Sequence, residues 1–139
     1  IISQMQEIAS TLPEYSVVRE MKGVGDVLSV RLIAEIGDVR RFNNGSALVA
    51  FAGIDAPPYE SGKFVRTKRN ISKRGSSTLR KIGYEIMHSL KVAKPTEDSA
   101  VYDFIIKKET EGKPKRVAKI AGLNKFLRIY YARVMEIYC

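Results

Sequence analysis

Cysteine occurs once, histidine once and tryptophan not at all in the 139 residues. The one cysteine, Cys139, has no partner within the chain, which excludes a disulfide scaffold and fits a reducing compartment, the cytoplasm. A single Cys and a single His cannot build a zinc cluster. No run approaches the ~18 uncharged apolar residues of a membrane span, and the first residues lack the basic-then-apolar order of a signal peptide. Membrane and secreted classes are therefore disfavoured. No internal repeat and no low-complexity tract is found. What remains is ordinary globular material, with 45% hydrophobic and 28% charged residues, enough to close one core. The first residue is Ile rather than Met, which suggests a piece of a longer protein.

The formal charge of +9 is unevenly placed. Residues 1–60 hold five basic and eight acidic side chains, whereas the remainder holds 19 basic and seven acidic ones, a net +12. Clustered Lys and Arg attract phosphates and release condensed counterions, so the second part reads as a footprint for a polyanion, nucleic acid above all. A solvated basic surface is the alternative.

Periodicity predicts a mainly α fold: a helix-hairpin-helix, then a short basic loop or hairpin, then a C-terminal helical bundle. Apolar residues at spacings of three and four predict a helix from Ile2 to about Leu12, ended by Pro13. A short segment Tyr15–Met21 leads into Gly23-Val24-Gly25, followed by a helix over Val27–Ile36 with Asp26 as its cap. A turn at Phe42–Ser46 precedes a buried helix, Ala47–Ala52, closed by Gly53. Residues 54–75 read as irregular, with a small hairpin possible over Lys63–Ile71. Ser76 or Ser77 caps a helix ending before Pro95, Thr96 caps one ended by Gly112, and a long helix runs from about Pro114 to Tyr138, with Val117, Ile120, Ala121, Leu127, Tyr130, Val134 and Ile137 as its apolar positions.

Three features could carry chemistry. Gly23, Val24 and Gly25 have the form of a hairpin whose exposed amides grip a phosphate without reading bases, or of a turn whose glycines merely allow close packing. Between Gly62 and Gly83 lie Lys63, Arg66, Lys68, Arg69, Lys73, Arg74, Arg80 and Lys81 with no acidic residue among them, a density that repels itself unless a polyanion is present. Tyr59 and Phe64 could stack on an unpaired base or join the core. Ser61 heads the basic stretch, in Pro57-Pro58-Tyr59-Glu60-Ser61-Gly62-Lys63. Composition alone makes it a turn serine, since a hydroxyl needs a base and positive charge nearby to become a nucleophile; Lys63 and Arg66 offer the charge. His88 lacks a second ligand for metal and reads as a packed or surface residue, the acidic residues are scattered, and Tyr130, Tyr131 and Tyr138 have the spacing of packing residues.

The order of motifs is more telling than any one of them. Lys22-Gly23-Val24-Gly25, Ala34-Glu35-Ile36-Gly37-Asp38, Arg41-Phe42, Leu48 to Ile54, Pro58-x-x-Ser61-Gly62-Lys63, Ile71 to Gly75 and Leu79-Arg80 succeed one another, and Gly112-Lys113-Pro114 through Tyr130 closes the series. Over roughly residues 10–135 the chain resembles the C-terminal domain of bacterial insertion-sequence transposases of the IS one-ten and one-sixteen family. Ser76 departs from the pattern, which has Asn there.

The resemblance implies a DNA recombinase guided by a bridge RNA, with an upstream RuvC-like domain whose four acidic residues hold a divalent metal such as Mg, then a coiled coil, then this domain. It implies that Ser61 attacks DNA to form a phosphoserine link. Residues 1–12 would end the coiled coil and 13–139 form the domain, with the hairpin at about 14–38, the Ser-Gly and basic segment at about 57–81 and a helical remainder at 76–139. The partners expected are DNA, the guide RNA and further copies of the protein. By itself the domain is expected to bind nucleic acid weakly and to cut nothing. The rival readings are a noncatalytic helix-hairpin-helix module for DNA or RNA, in which Ser61 shapes a turn, and a structural RNA-binding protein.

Overall fold

The computed structural model describes residues 2–54 and 75–138, with the side chains of residues 2, 3, 5 and 6 excepted. The predicted hairpin over Lys63–Ile71 lies outside the described residues. Among the described residues the fold is helical with no strand. Its elements are α1 (Ile2–Ala9), α2 (Tyr15–Glu20), α3 (Gly25–Ile36), a 3-10 turn (Val39–Arg41), α4 (Gly45–Ala52), α5 (Ser77–Ala93), α6 (Ala100–Thr110) and α7 (Lys115–Tyr138).

Most boundaries follow local chemistry. Asn44 Oδ1 accepts from Ala47 N at 2.9 Å to start α4, and Gly53, at φ 76°, ends it in the left-handed conformation. Ser76 Oγ accepts from Leu79 N at 2.9 Å to start α5. Three expectations are corrected. Helix α1 stops at Ala9 rather than near Leu12, because Ser10 and Thr11 turn their hydroxyls onto the carbonyls of Glu7 and Ile8 at 2.8 and 2.6 Å. Asp26 does not cap α3: it lies inside the first turn, and its carboxylate is drawn to Arg19 Nε. Thr96 does not cap α6, which starts four residues later. Asp98 has φ 48° and is held by Arg133 through two hydrogen bonds of 2.7 and 2.9 Å, so residues 96–98 stay outside the helix.

Helix α7 is the axis of the core. It packs on α4, α5, α6 and α2, while α3 lies against α1, α2 and α5. Its buried stripe is Ala118, Gly122, Leu123, Phe126, Leu127, Tyr130 and Val134, whereas Val117 and Ile137, expected on the packed face, are 46% and 42% exposed. Gly122 sets that face, since a Cβ there would lie 2.4 Å from Ile105 Cγ1, so only a residue without a side chain lets α7 sit down on α6. Each fully buried Leu, Ile or Phe on these faces contributes about 1.5–3 kcal/mol.

The far end of α7 is clamped by polar groups. Glu14 is 3% exposed, and its Oε1 accepts from Tyr138 Oη at 2.5 Å; the Arg40 guanidinium stacks 4.3 Å from the centre of the Tyr138 ring. The hydrogen bond to Glu14 holds the Tyr138 phenol in its neutral form, pushed up to about 12. Stability from this bond is complete below the ordinary tyrosine value near 10 and is lost as pH rises through about 12. Tyr138→Phe leaves a buried acceptor without its donor and is expected to cost about 1–3 kcal/mol at neutral pH. Urea unfolding from pH 8 to 12 checks this, and the variant should lose less stability than the parent above pH 10.

Candidate nucleic-acid interface

The turn between α2 and α3 has two unequal glycines. Gly23 (φ 88°) is turned into the protein, where a Cβ would meet the Ile86 carbonyl at 3.0 Å and Leu90 at 3.3 Å. Val24 is buried. Gly25 (φ 69°) has nothing within 4 Å of its missing Cβ and faces outward. Of the three predicted contact residues, two therefore pack α2 and α3 onto α5, and one is open. The Asp26 carboxylate already stands in the first turn of α3, where a helix favours negative charge, and Arg19 neutralises it.

Arg41, of the Arg41-Phe42 pair, works within the fold. Its guanidinium donates to the Ile36 carbonyl at 2.7 and 3.2 Å and stacks at 4.4 and 4.8 Å on Phe42 and Phe51. The end of α3 is thereby tied to α4.

The most constrained point is where α4 ends and α5 begins. Gly75 lies so close to Gly53 that a Cβ on it would be 2.2 Å from the Gly53 nitrogen and 2.5 Å from the Phe51 carbonyl oxygen. Ser76 N donates to that same oxygen at 2.6 Å. Ser76 Oγ, while capping α5, donates to Glu35 Oε2 on α3 at 2.7 Å, and Arg80 Nη1 donates to the Ala52 carbonyl at 3.1 Å. The described residues on either side of 55–74 thus come together at one neck, gripped by α3, α4 and α5. Ser61, Lys63, Arg66, Lys68, Arg69, Lys73 and Arg74 belong to the sequence between those ends and lie outside the described residues. Of the basic stretch, Arg80 is partly buried at the neck and Lys81 is exposed on α5.

The Glu35 to Ser76 link went unforeseen. Both residues stand in quoted motifs, but a bond spanning 41 positions leaves no periodic signal. Asn, the residue that the resemblance implies at this position, can likewise accept from a helix amide and donate to a carboxylate. Among the described residues no three His, Cys, Asp or Glu side chains come together to hold a metal ion, and His88 is exposed. Among the same residues no helix is long and apolar enough to cross a membrane.

The Transposase IS116/IS110/IS902 family profile matches residues 15–103, from α2 into α6 and across the whole neck. The chain belongs to this transposase family. It is also similar to a pilin gene-inverting protein of Moraxella bovis, 24% identical over 137 residues, which is 96% of this chain and 42% of the relative. The chain spans about two fifths of that relative's length. No solved structure matches it.

If Ser76 is the pin of the neck in this transposase domain, Ser76→Ala should cost about 1 kcal/mol through the lost cap alone. Ser76→Asn should stay within a few tenths of the parent. Urea midpoints of the three proteins measure the difference, and equal midpoints for Ser76→Ala and the parent would remove the neck's polar link from the account.

Proposed function

We propose that this chain is the DNA-binding, serine-bearing domain of an insertion-sequence transposase or recombinase, working with a RuvC-like domain outside this chain and with a guide RNA. Family membership over residues 15–103 carries the reading, because the matched span includes Ser61, the basic stretch and the neck that delimits them. The relative's name, a gene-inverting protein, is in keeping with a DNA rearrangement.

The chemistry suits a serine. Its Oγ attacks a backbone phosphorus, the Oγ–P bond forms as the P–O bond to one deoxyribose breaks, the Oγ proton passes to a base, and the leaving hydroxyl takes up a proton. One phosphate ester replaces another, so rejoining needs no external energy source. The positive side chains after Ser61 would offset the charge that builds on the phosphoryl oxygens. A divalent metal, when bound by the RuvC-like domain, supplies further positive charge there; the described part of this chain offers no ligand set for it. The complete enzyme is read as an oligomer acting in the cytoplasm.

The test is Ser61→Ala in the full-length transposase. Recombination should fall by ~10³-fold or more, as expected when a nucleophile is removed, while affinity for DNA is kept. A covalent DNA adduct trapped on the parent enzyme should map to Ser61. Recombination near the parent level would instead make Ser61 a turn residue of a noncatalytic binding module.

A further inference from the structure

Outside the basic stretch, the described helices carry a second concentration of positive charge at the start of α7. Lys113, Lys115 and Arg116 are exposed there, and Lys119, one turn on, lines a groove whose other walls are Leu28 on α3 and Tyr84, Glu85, His88 and Ser89 on α5. Helices α5 and α7 pack closely beside this groove: a Cβ on Gly83 would lie 2.6 Å from Leu123 Cδ1, and one on Gly122 would lie 3.5 Å from Met87 Sδ. Tyr84 and His88, one turn apart on α5, thus share the groove with Lys119, and Arg116 and Lys115 stand within the turn of α7 that precedes Lys119. Along the groove the lining turns of α5, from Tyr84 to Ser89, make a path of ~7.5 Å, the axial span of roughly two phosphates of one DNA strand.

The acids near this path are already engaged. Glu85 accepts from Arg31 Nη1 at 3.3 Å, Glu109 pairs with Lys91, and Glu111 lies 3.6 Å from Lys108. Lys81, Lys113, Lys115, Arg116 and Lys119 form no ion pair among the described residues. Their placement does not favour the helix either. The first turn of α7 holds no acid, and positive side chains there oppose the helix macrodipole. Charge that is unpaired, one-signed, gathered around Lys119 at the start of α7 and unfavourable to its own helix is explained by an anion that comes from outside. The corner also lies beyond the residues matched by the family profile, so the match assigns it no role.

We propose that the start of α7, with Lys115, Arg116 and Lys119 as its cations and the groove that Lys119 shares with α5 beside them, is a second contact surface for the DNA phosphate backbone. This rests on the reading of the chain as part of a DNA transposase. The surface holds the backbone without reading bases, with the Tyr84 and His88 side chains lining the groove beside it.

The experiment uses the full-length transposase with Lys115→Gln, Arg116→Gln and Lys119→Gln combined, and fluorescence anisotropy with a DNA duplex and an RNA duplex of equal length over a salt series. DNA affinity at low salt should fall ~10-fold, and the slope of log affinity against log salt should become shallower by about 2–3, near 0.9 for each phosphate contact removed. The melting temperature should hold or rise, since charge opposing the α7 dipole has been taken away. Ser61→Ala, measured alongside, should keep the parent slope. An unchanged DNA slope, a loss with RNA alone, or a loss that follows a lowered melting temperature overturns the proposal. Failure here leaves the serine chemistry untouched, whereas recombination surviving Ser61→Ala defeats that chemistry and leaves this surface standing.

Discussion

At Gly53 and Gly75 two backbones meet with no room for a side chain, and the rest of the domain is arranged about that contact. The Phe51 carbonyl receives the Ser76 amide, Glu35 on α3 receives the Ser76 hydroxyl, and Arg80 on α5 reaches the Ala52 carbonyl. Three helices are thereby fixed to one another at the two ends of a 20-residue segment. These hydrogen bonds satisfy partly buried polar groups, which is why the contact can hold with no side chain between the backbones. The neck depends in turn on α7, whose buried face supports both α4 and α5.

Charge in this molecule falls into two populations. One is internal to the fold: Arg31 with Glu85, Arg133 with Asp98, Lys91 with Glu109, and Arg41 laid over Phe42 and Phe51. These groups orient helices and, being partly exposed, add little stability pair by pair. The other is unpaired and one-signed, as with Lys115, Arg116 and Lys119 at the start of α7, of which Lys119 lines a groove against α5. The net charge of +9 understates this division, because the paired residues cancel and the unpaired ones do not.

Much of the helical layout was legible in the sequence. Asn44, Gly53 and Ser76 mark helix ends through side-chain chemistry that acts within three or four residues, and local rules resolve such signals. The misplaced boundaries turned on which side-chain partner won, near in the chain at Ser10, Thr11 and Asp26 and far from it at Asp98. Asp26 resembles a cap in sequence but turns to Arg19, and residues 96–98 look helical until Arg133, 35 positions away, takes hold of Asp98. The candidate site was legible as a string of motifs and a run of basic residues. Its supports were not, since the Glu35 to Ser76 bond and the inward turn of Gly23 depend on which helices become neighbours.

The sequence by itself determined that the chain is helical, basic in its second part and a member of a transposase family, because composition, 3.6-residue periodicity and motif order are properties of the linear chain. The tertiary structure alone decided which of those residues serve the fold and which face outward. It turned Gly23 onto α5 and left Gly25 open, drew Arg41 and Arg80 onto backbone carbonyls, and set Lys119 against a groove on α5 with no ion pair among the described residues. The physical reason is that a side chain's role depends on what lies within about 4 Å of it, and for these residues the neighbours come from elsewhere in the chain.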